Sequence, residues 1–364
     1  MKAILMRATI STSKRLYSFR SPLWDKGEYS ILYSFLLSLL QQQILYAAGH
    51  CPFWSTRLKP FKNQTFDEKT LAEIPLLTKN DLQIRNAMDF VATENFPFYI
   101  VRQSGGTTGT PVPLFWTKGD WHAAILAICR FVEPLANYRP LVGWNGYNQA
   151  HAGGPSFDDV LRELGGVAVP RHFKSDDLAA IQEIERFKAK VLVLPAKSGT
   201  EKGGSIEDLL VADASFLSRV GIKAVMVSST GLDSDVVDEM KQQGVQHIIN
   251  LYGSTEAFPS AISCENPLTF HLCQGPNLTE VVGTDGKGVK NGERGLIVVS
   301  RIGSETDTGI FPAGGTQLLR YVVGDEATLI DEPCGCGRTS PRIANIKRVL
   351  NIQDKITGGC QKWE

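Results

Sequence analysis

Residues 101–111 read VRQSGGTTGTP, so the eight positions from Ser104 to Pro111 hold three glycines and four hydroxyl side chains and stop at a proline. Glycine lets backbone N–H groups approach an anion closely, and serine and threonine hydroxyls add donors with little bulk. The composition is that of a phosphate cradle. A Walker loop would run on through Gly-Lys-Ser/Thr into a helix. Here Gly109 is followed by Thr110 and Pro111, which predicts a hairpin-like loop instead. A plain flexible turn is written with the same residues, so the chain on either side has to decide.

Downstream of the loop, helices and strands alternate. Helical spacing covers Trp121 to Leu135, Asp176 to Lys188, Ile206 to Val220 and Ser234 to Gln243, and apolar strand runs cover Lys190 to Leu194, Lys223 to Ser228 and Gln246 to Leu251. Such alternation predicts a mainly parallel sheet covered on both faces, with ligands beyond the carboxyl ends of its strands. Ser228-Ser-Thr-Gly231 and Tyr252-Gly-Ser-Thr-Glu256 each follow a strand and belong on that rim. Past Pro276 the chain turns β-rich, with Asp285-Gly286 and Asn291-Gly292 as turn dipeptides.

Upstream, apolar positions recur at helical spacing from about Tyr29 to Ala48, and Thr78-Lys-Asn-Asp81 is a helix-start signal. The run ILYSFLLSLL holds ten residues before Gln41-Gln42-Gln43, too few to span a bilayer, and reads as a core helix with no membrane span. The first twenty residues are basic and free of acids, a pattern shared by transit peptides and disordered termini, and a disordered terminus is expected.

With 38 basic and 38 acidic residues in 364, no electrostatic footprint points to nucleic acid, and 43% hydrophobic residues exclude a disordered chain. Seven cysteines, an odd number, with no apolar signal segment, place the chain in a reducing cytoplasm. Oligomeric state is not legible.

Three separated stretches, SGGTTGTP, LYGSTE and LRYVVGDEATL, occur in this order, and together they resemble the adenylate-forming superfamily of acyl-CoA synthetases, luciferases and adenylation domains. The segment after Asp325 continues into Cys334-Gly-Cys-Gly-Arg-Thr-Ser-Pro-Arg342-Ile, similar to the phenylacetate-CoA ligase group, as is PLLTKNDL before the loop. The resemblance covers roughly Leu39 to Arg348. It implies an α/β fold, the N-terminal domain of an adenylate-forming enzyme, with a helical N-terminal region over 1–95 and an α/β nucleotide- and acyl-binding core over 96–275. A β-rich subdomain over 276–348 and a tail over 349–364 complete the expected division.

The implied reaction is ATP-dependent activation of a carboxylic acid to an acyl-adenylate with release of pyrophosphate, followed by transfer to a thiol. Donors must hold the phosphates, and Mg²⁺ needs one or two carboxylates beside phosphate oxygens. The resemblance assigns Ser104, Gly105, Gly106, Thr107, Thr108 and Gly109 to the phosphates, Thr107 with a catalytic part. Ser229, Thr230, Gly231, Tyr252, Gly253 and Ser254 line the nucleotide, with Tyr252 against adenine. Thr255 contacts the α-phosphate, Glu256 holds Mg²⁺, and Asp325 and Arg348 take the ribose hydroxyls. Arg348 lies in IKR where relatives have Gly-Arg, and a solvated arginine beside Lys347 is the other reading. Trp144 and Tyr147, in LVGWNGYNQ, are candidates for the acid pocket. Trp116, Trp121, His122 and His172 read as ordinary packing or surface residues.

Cys264, His271, Cys334 and Cys336 supply three thiolates and an imidazole, the closed donor set of a structural Zn²⁺ site, and similar spacing occurs in the phenylacetate-CoA ligase group. Cys273 offers an alternative ligand. Superfamily members carry a further domain with a lysine after the ribose-contacting arginine, whereas this sequence runs to Glu364. A lid supplied by a carrier or other partner protein, a non-catalytic nucleotide-binding scaffold, or a branch without the lid are the alternatives. Acyl-protein synthetases of the bioluminescence type resemble the last, since Thr357-Gly-Gly-Cys360 places a thiol on a glycine-flanked tail where it would accept the acyl group.

Overall fold

The structure, a computed structural model, describes residues 18–64, 66–92, 98–104, 111–150, 152–174, 177–197, 204–228, 231–349, 352 and 356. In chain order its strands are β1 (Phe98–Gln103), β2 (Pro113–Thr117), β3 (Val142–Asn145), β4 (Val167–Pro170), β5 (Val191–Pro195), β6 (Ala224–Ser228), β7 (His247–Tyr252), β8 (Ala261–Ser263), β9 (Phe270–Leu272), β10 (Asn277–Val282), β11 (Arg294–Arg301), β12 (Ser304–Thr306), β13 (Gly309–Phe311), β14 (Tyr321–Ile330) and β15 (Arg342–Arg348). The chain divides into two compact units, one of residues 1–127, 254–260 and 271–364, the other of 128–253 and 261–270.

In the first unit the N-terminal helices pack with the later strands. The Tyr29–His50 helix is 22 residues long, apolar and long enough to cross a membrane by length and composition. Leu32, Leu36, Leu40, Ile44 and Ala47 form a buried stripe at helical spacing, which makes it a core helix of this unit. The glutamine run does not interrupt it. Gln43 is fully buried; its amide donates to the Ala313 carbonyl at 3.1 Å and its own carbonyl accepts the Ala313 N–H at 2.6 Å. A buried amide with both ends paired costs little, so the helix runs through. The helix-start signal forms a capping box, with Asp81 accepting the Thr78 N–H at 2.8 Å.

The strand order in this unit is β10-β11-β14-β15-β9, with the β10–β11, β11–β14 and β14–β15 pairs antiparallel. Gly286 and Gly292, at φ +78° and +80°, take the left-handed turn positions that their dipeptides predict. Leu76, Val282, Leu296, Val298 and Val322 form a core cluster under the sheet, each side chain stabilising the fold by about 1.5–3 kcal/mol through burial. Arg320, 1% exposed, clips the N-terminal segment onto these strands through the carbonyls of Leu71 at 3.0 Å and Ile74 at 2.9 Å, and pairs with Glu280.

In the second unit the order is β8-β7-β6-β5-β3-β4, parallel from β7 to β4, with β8 antiparallel to β7. β6 is buried at every position and β5 at every position but its last, as strands of a covered parallel sheet are. The expected β5, β6 and β7 and the Ser234–Gln242 helix form within one or two residues of their sequence bounds. The expected helix over Ile206 to Val220 is instead two, Ile206–Ala212 and Phe216–Val220. Asp213 breaks it, because its carboxylate accepts the Ser215 N–H at 2.9 Å and bonds Arg219 at 2.8 Å, a local alternative to helical bonding. β3, the Gly153–Glu163 helix and β4 were not read from the sequence.

Candidate functional site

β1 and β2 pair antiparallel down to Gln103 opposite Pro113, so the described residues flanking the glycine-rich stretch form a two-stranded stem. Ser104 closes the neck. Its N–H donates to the Val112 carbonyl at 3.0 Å, and its Oγ accepts the Val112 N–H at 2.9 Å, with the residue 4% exposed. The assignments to Gly105, Gly106, Thr107, Thr108 and Gly109 lie outside the described residues, as do those to Ser229, Thr230 and Cys360.

Ser254 to Ala257 form a tight turn, in which each end's N–H donates to the other's carbonyl at 3.2 and 3.1 Å and the Ser254 Oγ accepts the Ala257 N–H. Thr255 and Glu256 sit at its crest, Thr255 partly exposed and Glu256 buried. The Glu256 carboxylate accepts a hydrogen bond from the Tyr321 hydroxyl at the start of β14. Burial, and secondly the Glu256 charge, hold the Tyr321 phenol well above its ordinary value near 10, so it stays a donor. Asp325 and Arg348 also act on that phenol, Asp325 raising and Arg348 lowering its pKa, which places four groups in one electrostatic neighbourhood.

Asp325 and Arg348 face each other in the β14–β15 register, and the Arg348 guanidinium donates to the Asp325 carboxylate at 3.3 Å. Gly324 makes room for this. Its φ is +101°, and a Cβ there would lie 2.9 Å from the Arg348 Nη1. Glu256, Asp325 and Arg348, named from three separate stretches of sequence, are thus gathered on one unit around Tyr321. Tyr321 and Gly324 lie inside LRYVVGDEATL but were not singled out; Arg301, whose Nη2 donates to the Glu256 carbonyl at 3.1 Å, carries no sequence signal.

In the second unit the carboxyl ends of the parallel strands form the expected rim. Ser228 and Leu251 are register partners, and the Ser228 Oγ donates to the Leu251 carbonyl at 2.8 Å. Tyr147, two residues past β3, donates its hydroxyl to the Ser228 carbonyl at 2.8 Å, so this candidate does stand at the rim. Tyr252 ends β7 half-buried, its ring 6.4 Å from that of Phe270; Gly253 follows it half-buried, and Gly231 is exposed. Trp144 is different. It is fully buried in the core cluster with its ring edge-on to Phe173, a packing residue of the sheet rather than a pocket wall.

Of the four expected ligands, His271, Cys334 and Cys336 come together in the first unit, their donor atoms lying within 4.8 Å of one another, while Cys264 belongs to the second unit. The Cys336 Sγ is 3.3 Å from the His271 Nε2, and the His271 Nδ1 faces the Ser340 carbonyl at 2.8 Å. A carbonyl can only accept, so the ring proton is on Nδ1 and the Nε2 lone pair points at the sulfurs, the arrangement of a metal-ligating histidine. Burial pushes the His271 pKa down to about 4, keeping the ring neutral. Tetrahedral zinc sets neighbouring ligand atoms roughly 3.3–3.8 Å apart, and the 3.3 Å between the Cys336 Sγ and the His271 Nε2 is of that size. Cys273 is fully buried and is not one of the four.

No family model matches the chain. Over 288 residues it is 26% identical to phenylacetate-coenzyme A ligase of Thermus thermophilus, a match that takes in 76% of this chain and 60% of that protein. The chain therefore spans less than two thirds of the length of this curated relative. In fold it is similar to 2-hydroxyisobutyryl-CoA ligase crystallised with 2-HIB-AMP and CoA in the thioesterification state, with a TM-score of 0.74, 19% identity, and coverage of 91% of this chain and 71% of that one. An open conformation of the same ligase gives a TM-score of 0.71 at 18% identity, covering 88% and 75%. The resemblance carried by the three motifs is matched on both sides: the chain has the α/β fold of adenylate-forming CoA ligases and is similar in sequence to phenylacetate-coenzyme A ligase.

Proposed function

We propose that this protein activates a carboxylic acid with ATP, forming an acyl-adenylate and releasing pyrophosphate, and passes the acyl group to a thiol. The observation that supports this best is the convergence of Glu256, Asp325 and Arg348 around Tyr321 on one unit. A carboxylate attacks the α-phosphate of ATP only if charge on the leaving pyrophosphate is neutralised, so the barrier is largely electrostatic. Asp325 and Arg348 offer a paired acceptor and donor for the two ribose hydroxyls. Thr255, at the crest of its turn, offers a hydroxyl to the α-phosphate, and Tyr252 a ring to the adenine. The Gly105–Gly109 loop, on its stem closed by Ser104, supplies amide and hydroxyl donors to the outer phosphates.

Glu256 is the residue that would hold Mg²⁺, and the ion would supply charge neutralisation between phosphate oxygens. Zn²⁺ on Cys264, His271, Cys334 and Cys336 would be structural. The acceptor is coenzyme A, a carrier-protein thiol or Cys360. A cytoplasmic location completes the reading. Carboxylate-dependent exchange of labelled pyrophosphate into ATP tests it, with a panel of aryl and aliphatic acids. Exchange abolished in Glu256→Gln is the expected result; no exchange with any acid in the panel overturns it in favour of a nucleotide-binding scaffold. Intact-mass measurement after incubation with ATP and acid tests the acceptor: an added acyl group lost in Cys360→Ser assigns the tail thiol.

A further inference from the structure

Arg301, the last residue of β11, is 3% exposed. Its guanidinium lies 3.7 Å from the centroid of the Trp116 ring. Its hydrogen bonds go to three neutral backbone carbonyls, those of Phe115 and Thr316 at 3.4 Å and Glu256 at 3.1 Å. Burial lowers its pKa to about 10, with Asp120 opposing, so it stays charged at neutral pH. The Asp120 carboxylate is itself occupied by the amides of Thr117, Gly314 and Gly315.

A charge taken out of water and bonded only to carbonyls is a poor stabiliser, because desolvation offsets most of what the bonds return. Its distribution of bonds is more informative than their strength. Phe115 and Trp116 belong to β2, the strand that leaves the glycine-rich loop. Thr316 is already tied to the same strand, its N–H donating to the Phe115 carbonyl at 2.9 Å and its Oγ1 accepting the Phe115 N–H at 2.9 Å. Glu256 belongs to the turn that presents the metal-binding carboxylate. The planar guanidinium, with its fork of donors, spans these segments where a lysine ammonium, a point donor, would not.

We propose that Arg301 is a positioning residue for the adenylation step: it locks β2 and Thr316 to the Glu256 turn, fixing the place of the carboxylate that would hold the cation of the nucleotide, a role that rests on the nucleotide reading above. A misplacement of about 1 Å in such a group lowers a rate by about 100-fold.

The test uses the full chain and the variants Arg301→Ala, Arg301→Lys and Glu256→Gln, in pyrophosphate exchange and in binding of a fluorescent ATP analogue with and without Mg²⁺. Arg301→Ala should lose about 100-fold in exchange rate with a smaller rise in KM for ATP, and Arg301→Lys should regain little of it. Guanidinium ion at millimolar concentration should fill the hole left by Arg301→Ala and restore exchange several-fold, while Glu256→Gln gains nothing. A folded Arg301→Ala with wild-type exchange overturns the positioning role alone. So does a variant that loses activity only in step with its Tm and is not rescued by guanidinium. A wild-type protein that neither exchanges nor binds the analogue overturns the nucleotide reading and this role with it.

Discussion

Arg348 and Asp325 stand opposite each other on β15 and β14, guanidinium to carboxylate at 3.3 Å, and the residue that permits it is neither of them but Gly324. A side chain at Gly324 would meet a φ of +101° and press on the guanidinium at 2.9 Å. Gly324→Ala is therefore expected to cost about 1–3 kcal/mol of stability and to raise the KM for ATP about tenfold by displacing Arg348. Urea denaturation and the exchange assay measure the two effects separately, and an unchanged KM would show that Arg348 does not bind nucleotide.

Tyr321→Phe removes the hydroxyl hydrogen bond to the Glu256 carboxylate. Loss of a hydrogen bond to a charged group costs about 1.5–3 kcal/mol, and exchange should weaken with a higher Mg²⁺ requirement. The same variant carries a pH signature. The folded phenol is raised well above 10 and the unfolded one is not, so the folded state holds the proton longer as pH rises. The stability that Tyr321 contributes is complete below pH 10 and is lost above it. Wild-type stability should fall more steeply above pH 10 than that of Tyr321→Phe, read from denaturation midpoints and tyrosinate absorbance.

One zinc per chain is expected by elemental analysis. His271→Ala or Cys336→Ser should lose it, while Cys273→Ala should keep it. A strong chelator should lower Tm by about 10 °C or more if the ion is structural, since metal binding is then part of the folding free energy. A metal-free protein with an unchanged Tm would assign the four residues to packing.

Gln43→Leu keeps the apolar character of the Tyr29–His50 helix but strands the Ala313 N–H and the Gln317 Oε1 that the glutamine serves, while the Ala313 carbonyl keeps its bond from the Gln317 amide. About 1–3 kcal/mol of destabilisation is expected for each buried group left unpaired. A neutral result in urea denaturation would mean that water replaces the amide.

Strand–helix alternation was legible because β5, β6 and β7 are short apolar runs bounded by polar turns, and the Thr78–Asp81 cap was legible because its chemistry is local. β3 and the Gly153–Glu163 helix escaped because LVGWNGYNQ and Gly153-Gly154-Pro155 have loop composition, and only tertiary packing makes them regular. Glu256, Asp325 and the Cys/His set could be named from motif and spacing. Arg301 and Gly324 could not, since what matters in each is a neighbour far away in sequence: the Glu256 carbonyl for one, the Arg348 side chain for the other.

Arg320 reaches back 246 residues to the Ile74 carbonyl, and Gln43 reaches forward 270 to Ala313. During synthesis the N-terminal helices must therefore wait, their apolar stripes uncovered, until the chain has been made past residue 320. The second unit, nearly continuous from 128 to 253, needs no such delay. Emerging helices that stay sticky this long are natural clients for chaperones, so low yield in rapid expression should be remedied by slowing translation or adding holdases rather than by trimming the N-terminus.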